Sequence, residues 1–248
     1  MKKNLATLGL TVCSLALIQA TQVSAEEVAS YQTNGTITFE ADDSITPPVD
    51  PVNPEKPVTP IDPSKPDDKP TEGTGGPLSI DFASSFIFGG HKITTETMDY
   101  YAGLQTFQDS EDGPNYIQIT DKRGTQEGWT VSVKQNGQFE TRNGDILEGA
   151  ELFLSAGTTT SVTDQQYSPR ATLKREVTLN PNGFQDVLVS ANSGQGMGTW
   201  IYKFGNDAEE GRTAVKLNVP GKTVKLAQEY STTITWTLSN IPTVTYDS

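Results

Sequence analysis

Side chains able to do chemistry are scarce in this chain, which carries a single histidine and a single cysteine. His91 follows Gly89 and Gly90 and precedes Lys92 in a polar stretch. With no second histidine or thiolate to join it, His91 cannot complete a usual zinc site. A Ser-His-Asp triad would come with a Gly-x-Ser-x-Gly elbow, and none is present. His91 therefore reads as a loop or surface residue. Carboxylates are plentiful, at 31 Asp plus Glu, so finding a pair suited to glycoside hydrolysis says little. None of them sits among aromatics that would bury it. Asp109, Glu111 and Asp112 cluster oxygen ligands before Gly113, the kind of donor calcium prefers. The cluster lacks EF-hand spacing and the closing glutamate, so it reads as a solvated turn. Gly194, Gly196 and Gly198 form a Gly-x-Gly-x-Gly run, but a strand-like 199–204 follows where a phosphate loop needs a helix. Nucleotide binding is excluded. No catalytic residue, cofactor or metal is expected, and the chain reads as a non-enzyme.

The N-terminus explains the cysteine. Lys2 and Lys3 precede an apolar run from Leu5 to Ile18, and Val23-Ser24-Ala25 offers a small-x-small cleavage site. This is the pattern of a secretory leader over 1–25, too short to span a bilayer. Cys13 lies within it, after Val12 rather than a small residue, so lipidation is not expected and no disulfide remains after export. The formal net charge is -13, and removal of Lys2 and Lys3 makes the exported chain more acidic still. Such a charge repels nucleic acid and anionic lipid. Anionic polymers in general would repel it too, so binding to any such matrix must use neutral groups rather than bulk charge.

Three texture changes divide the remainder. Over 26–45 one short run, Thr36, Ile37, Thr38 and Phe39, follows the turn signal Asn34-Gly35 and predicts a strand that needs a partner downstream. Residues 46–77 hold 10 of the 15 prolines, with Pro48, Pro51, Pro54, Pro57, Pro60, Pro63 and Pro66 at strict three-residue spacing. That period matches polyproline II and predicts a semi-rigid spacer. From 78 to 248 short alternating runs recur, over 78–82, 116–120, 129–133, 151–154, 177–179, 186–190, 199–204, 215–219 and 232–238. Turn clusters such as Gln135-Asn136-Gly137 and Asn180-Pro181-Asn182-Gly183 separate them. Many short strands with such turns predict an all-β, β-sandwich-like domain of antiparallel strands.

Tryptophans mark the strands that matter most. Trp129, Val131 and Val133 alternate onto one face. At the other end of the domain Tyr230, Ile234, Trp236 and Leu238 also keep even spacing. A face of Trp and aliphatics builds core; an exposed one would offer a platform on which a sugar ring stacks. Both readings stay open at this point. Tyr230, Ile234-Thr235-Trp236, Leu238 and Pro242 resemble the distal motif of the WxL family of Gram-positive surface proteins, with Ile234 in place of Leu. Trp129-Thr130-Val131 resembles the proximal motif, with Val131 in place of Leu. Leu78 to Phe82 with Phe86 to Gly89, and Asp121-Lys122-Arg123-Gly124 before Gly128-Trp129, extend the likeness.

The resemblance implies a secreted protein held non-covalently to the cell wall through its C-terminal domain, by binding peptidoglycan. The chain ends without a Leu-Pro-x-Thr-Gly sorting signal, which agrees with non-covalent display. It further implies surface complexes with a WxL-interacting membrane-anchored protein, so that a protein-interaction subunit held to the wall by its partner is the alternative. Trp129, Val131, Tyr230, Trp236 and Leu238 are the residues expected to be necessary for attachment, largely through architecture.

Overall fold

The computed structural model describes residues 27–171 and 175–242. The expected leader and residues 243–248 lie outside the described residues. The chain divides into two units, one ending at Thr38 and one running from Phe39. Residues 27–38 contain no strand. The strand expected at 36–39 is therefore not formed, and Ile37 and Phe39 are exposed. Two apolar side chains, flanked by polar turn residues and by Glu40, Asp42 and Asp43, bury too little surface to offset the ordering cost.

The second unit is all-β. Its strands are β1 (Pro60–Ile61), β2 (Leu78–Ala83), β3 (Met98–Tyr101), β4 (Thr106–Phe107), β5 (Tyr116–Asp121), β6 (Trp129–Gln135) and β7 (Glu151–Ser155). They continue with β8 (Gly157–Thr160), β9 (Arg170–Ala171), β10 (Glu176–Leu179), β11 (Asp186–Ala191), β12 (Gly198–Phe204), β13 (Val215–Val219) and β14 (Ile234–Ser239). A short α-helix, α1 (Ala208–Ala214), is capped by the Asp207 carboxylate, which accepts from Glu210 N–H. The strands form three four-stranded antiparallel sheets, ordered β10-β7-β13-β3, β14-β6-β11-β9 and β2-β5-β12-β8, and a ribbon of β1 with β4. All three larger sheets contribute to one core, which includes Ile119, Trp129, Val131, Leu152, Leu179, Leu188, Trp200 and Phe204.

The sheet β2-β5-β12-β8 departs from simple alternation. Every residue of β5 is buried. Ile117 and Ile119 face the main core, whereas Tyr116 joins Phe82, Phe107, Ile201 and Val58 in a second one. Val58 belongs to the proline-rich segment, and that segment supplies the second cover.

The spacer expected over 46–77 is thus not what the segment forms. The chain doubles back on itself, with Val49 bridged to Pro57 and Asp50 N–H donating to Lys56 O at 2.9 Å. Pro51, Val58, Pro60 and Asp62 are buried. Gln118, fully buried on β5, holds the segment by both ends of its amide. Its Oε1 accepts from Val49 N–H at 2.8 Å, and its Nε2 donates to Pro47 O at 3.0 Å. The same Nε2 donates to Asp81. A register shift in β2 between Ile80 and Phe82 brings the Asp81 carboxyl into this network, where it also accepts from Ser79 and Thr120 hydroxyls. Three-residue proline spacing set the local backbone preference, but buried Val58 and a hydrogen-bonding glutamine outweighed it.

The acidic turn at 109–113 holds the other edge. The Asp109 carboxylate accepts from Thr59 N–H and Thr59 Oγ1, both at 2.9 Å, and Ser110 Oγ donates to Asp50 at 2.9 Å. The Thr59 backbone and side-chain donors hold the Asp109 carboxyl below the usual carboxylate value. A depressed folded-state pKa gives stability that is present above the unfolded value and lost as pH falls through the folded one. Asp81 has the opposite sign, because burial raises its pKa against its three donors. Below about pH 4 the Thr59 amide is expected to exchange faster with deuterated solvent than the amides of β5. An Asp109→Asn chain keeps an acceptor for Thr59 N–H and should lose that acid-dependent step.

Candidate wall-attachment site

The two motif strands are neighbours. β14 pairs antiparallel with β6, placing Trp236 opposite Val133 and Leu238 opposite Val131. The third residues of both motifs are thus direct cross-strand partners, and direct partners share a face. That face is the core face. Trp129 and Val131 are 0% exposed, and Ile234, Trp236 and Leu238 are half-buried against the same cluster. A Val131→Ala, Leu238→Ala double-mutant cycle should give a coupling of about 0.5–1 kcal/mol, read from urea unfolding midpoints.

Each tryptophan has its own surroundings. Trp129 donates its Nε1–H to Gly196 O at 2.9 Å. Gly196 sits at φ +77°, and a Cβ there would lie 2.5 Å from that same Nε1. Only glycine lets this loop close over the indole at that angle. The Gly194–Gly198 run is thus the lid of Trp129. Trp200 repeats the arrangement locally, donating to Met197 O at 2.8 Å. Trp236 lies edge-on to Phe86 and tilted to Phe204, both with ring centroids 6.3 Å away. Phe86 and Phe204 meet at 5.9 Å. The distal motif therefore closes an aromatic cluster begun by the segment after β2.

Tyr230 separates from the rest of its motif. It precedes β14 and packs on a third cluster of Phe139, Leu147, Ala150, Leu217 and Val219. Its hydroxyl accepts from Leu226 N–H at 2.9 Å, while Ser231 bridges Glu140. Even spacing suggested one face shared with Ile234, but the strand begins only at Ile234, and the bridge at Ser231 turns Tyr230 away.

The turn before Trp129 is fixed by charge. Arg123 donates to the Asp121 carboxylate from Nε at 2.9 Å and Nη2 at 2.8 Å, and Nη2 also reaches Gly128 O at 2.7 Å. This hydrogen-bonded pairing with Asp121 raises the guanidinium pKa. The pair positions the backbone entering β6 and keeps the Arg123 side chain only 11% exposed.

Elsewhere the chemistry is modest. His91 is exposed, its Nε2 2.7 Å from Phe88 O and its ring 4.4 Å from that of Tyr100. Among the described residues no cluster of three or more His, Cys, Asp or Glu is placed to hold a metal, and no helix is long and apolar enough to cross a membrane. Two tryptophans lie fully inside, and the third, half-buried, is built into an aromatic cluster. The motifs are the shared seam of one sheet.

Residues 26–242 match the family described as "WxL domain surface cell wall-binding". No curated protein and no solved structure shows significant similarity to the chain. The matched span takes in the proline-rich segment as well as every strand, agreeing with a single folded unit from Phe39. By that match, and by the paired motif strands at its core, the chain belongs to the WxL family of surface cell-wall-binding proteins.

Proposed function

We propose that this protein is secreted to a Gram-positive cell surface and attaches non-covalently to peptidoglycan through its folded unit, with the Trp motifs acting from inside. The observation that carries this reading is the cell-wall-binding family match over the whole unit, combined with full burial of the proximal motif and half-burial of the distal one. A chain of net charge -13 gains nothing from an anionic wall. Recognition then rests on hydrogen bonds and apolar contacts with neutral wall groups. The alternative, a subunit held to the wall only by a protein partner, draws on a long stand-off spacer and on the acidic charge; the charge stands, but the proline-rich segment is folded onto the domain.

The test is co-sedimentation of the chain from residue 26 with protein-free peptidoglycan over a range of salt. Pelleting that persists as salt rises supports the reading, because screening would relieve repulsion rather than remove an attraction. A protein that stays in solution at every salt concentration contradicts it.

A further inference from the structure

We infer that the wall contact is an open groove beyond the end of β6, and that its occupant is the sugar backbone of peptidoglycan. The inference rests on the wall-binding reading above. The groove has a volume of about 640 Å³ and is lined from two sides, by residues at 137–138, 146 and 148–151 and by the end of β10 with the turn after it at 178–182. That volume lies within the ordinary range for a ligand site.

Four side chains, Glu148, Glu151, Thr178 and Asn182, line the groove and are exposed. None of their polar heads has a hydrogen-bond or ion partner among the described residues. The lining side chain of Gln138 contrasts with them, for it is committed at both ends, Nε2 to Ala150 O at 2.8 Å and Oε1 from Phe139 N–H. The rims themselves are fixed. Gly137 N–H donates to Pro181 O at 3.1 Å, and Asn182 N–H donates to the Asn180 side chain at 2.8 Å. Ala150 and Leu179, both nearly fully buried, give the groove an apolar floor.

This combination selects a class of ligand. Carboxylates and amides accept from sugar hydroxyls and from acetamido N–H groups, and an apolar floor accommodates acetamido methyls and ring C–H faces. No lysine or arginine lines the groove, so phosphate- or carboxylate-rich wall polymers find no cation there. A neutral chain of N-acetylated sugars fits. The groove also adjoins the motif seam. Thr232 Oγ1, just before β14, donates to Gly137 O at 2.9 Å, so a broken β6–β14 pairing would distort the rim. Motif damage would then abolish attachment without any Trp touching glycan.

The test uses the chain from residue 26 and a soluble N-acetylglucosamine tetramer, with binding followed by calorimetry beside pelleting on peptidoglycan. A Glu148→Gln, Asn182→Ala variant changes only exposed side chains, and its fold is checked by circular dichroism. The inference expects tetramer binding by the parent chain, roughly tenfold or more weaker in the variant, with pelleting weakened in step. It is overturned if the folded variant binds the tetramer as the parent does. It is equally overturned if the parent pellets with peptidoglycan yet ignores the tetramer, or binds free stem peptide instead, and the wall-binding reading then survives. Failure of the parent to pellet at all removes that reading and this one together.

Discussion

Trp129→Ala is expected to leave a chain that does not fold cooperatively at growth temperature. Trp129 is fully buried at the junction of the motif strand with β11, opposite Ala191. Truncating a buried aromatic to alanine costs about 3–5 kcal/mol. It also strips the Gly196 carbonyl of its donor, adding about 1–3 kcal/mol where that oxygen stays dry. Against a typical stability of about 5–15 kcal/mol, the loss is decisive or nearly so. Urea unfolding followed by near-ultraviolet circular dichroism reads it. Gly196→Ala probes the same contact from the other side, since it keeps the indole and pushes the lid off it, and it should lower the midpoint in the same direction. A Trp129→Ala chain with an unchanged midpoint would mean that the indole is not the keystone its burial indicates.

The second large effect concerns the boundary of the domain. A fragment starting at Leu78, where alternating strands begin, is expected to be poorly soluble and to bind a hydrophobic dye. Removing residues 46–77 deletes Val58 from the second core and uncovers Phe82, Phe107, Tyr116 and Ile201. Loss of the Val58 burial alone is worth about 1.5–3 kcal/mol. Gln118 loses both of its partners in the segment, at about 1–3 kcal/mol for each group left dry. β4 also loses its strand partner β1. The comparison is urea unfolding of the fragment beside the chain from residue 26. Equal midpoints would show that the segment is dispensable to the fold.

That boundary also shows what a sequence can and cannot convey. All nine strands expected between 78 and 248 are present, with ends shifted by two residues at most, whereas the one expected at 36–39 is not. They are long enough, and one-sided enough, for a period of two to register. β1, β4 and β9 have two residues each, too few for any pattern, and the all-polar stretch of β8 carries no alternation to read. Helix α1 is similarly too short to show a stripe. The proline-rich segment misled because spacing reports local backbone preference, whereas its fate was decided by Val58 and by Gln118, a polar residue inside an otherwise apolar strand. That glutamine was the available signal: a buried amide needs partners, and here they come from a segment about 70 residues away. The Gly-x-Gly-x-Gly run leads into a strand, as its sequence implies, yet its closing over Trp129 is visible only where strands far apart in sequence meet.

Cross-strand pairing gives the two Trp motifs one structural purpose. Each supplies half of the β6–β14 seam, with Val131 and Leu238 face to face. On the proposed reading, such motifs govern wall attachment by governing whether the binding surface exists.

The measurement that tests this most directly plots the fraction bound to protein-free peptidoglycan against the fraction folded, for variants inside and outside the motifs. Trp236→Leu and Leu238→Ala would stand beside Leu152→Ala, a core change on β7, each titrated with urea. The account predicts that all variants fall on one curve, with binding lost only as folding is lost. A Trp236→Leu protein that is folded yet does not bind would contradict it and make the tryptophan itself the contact.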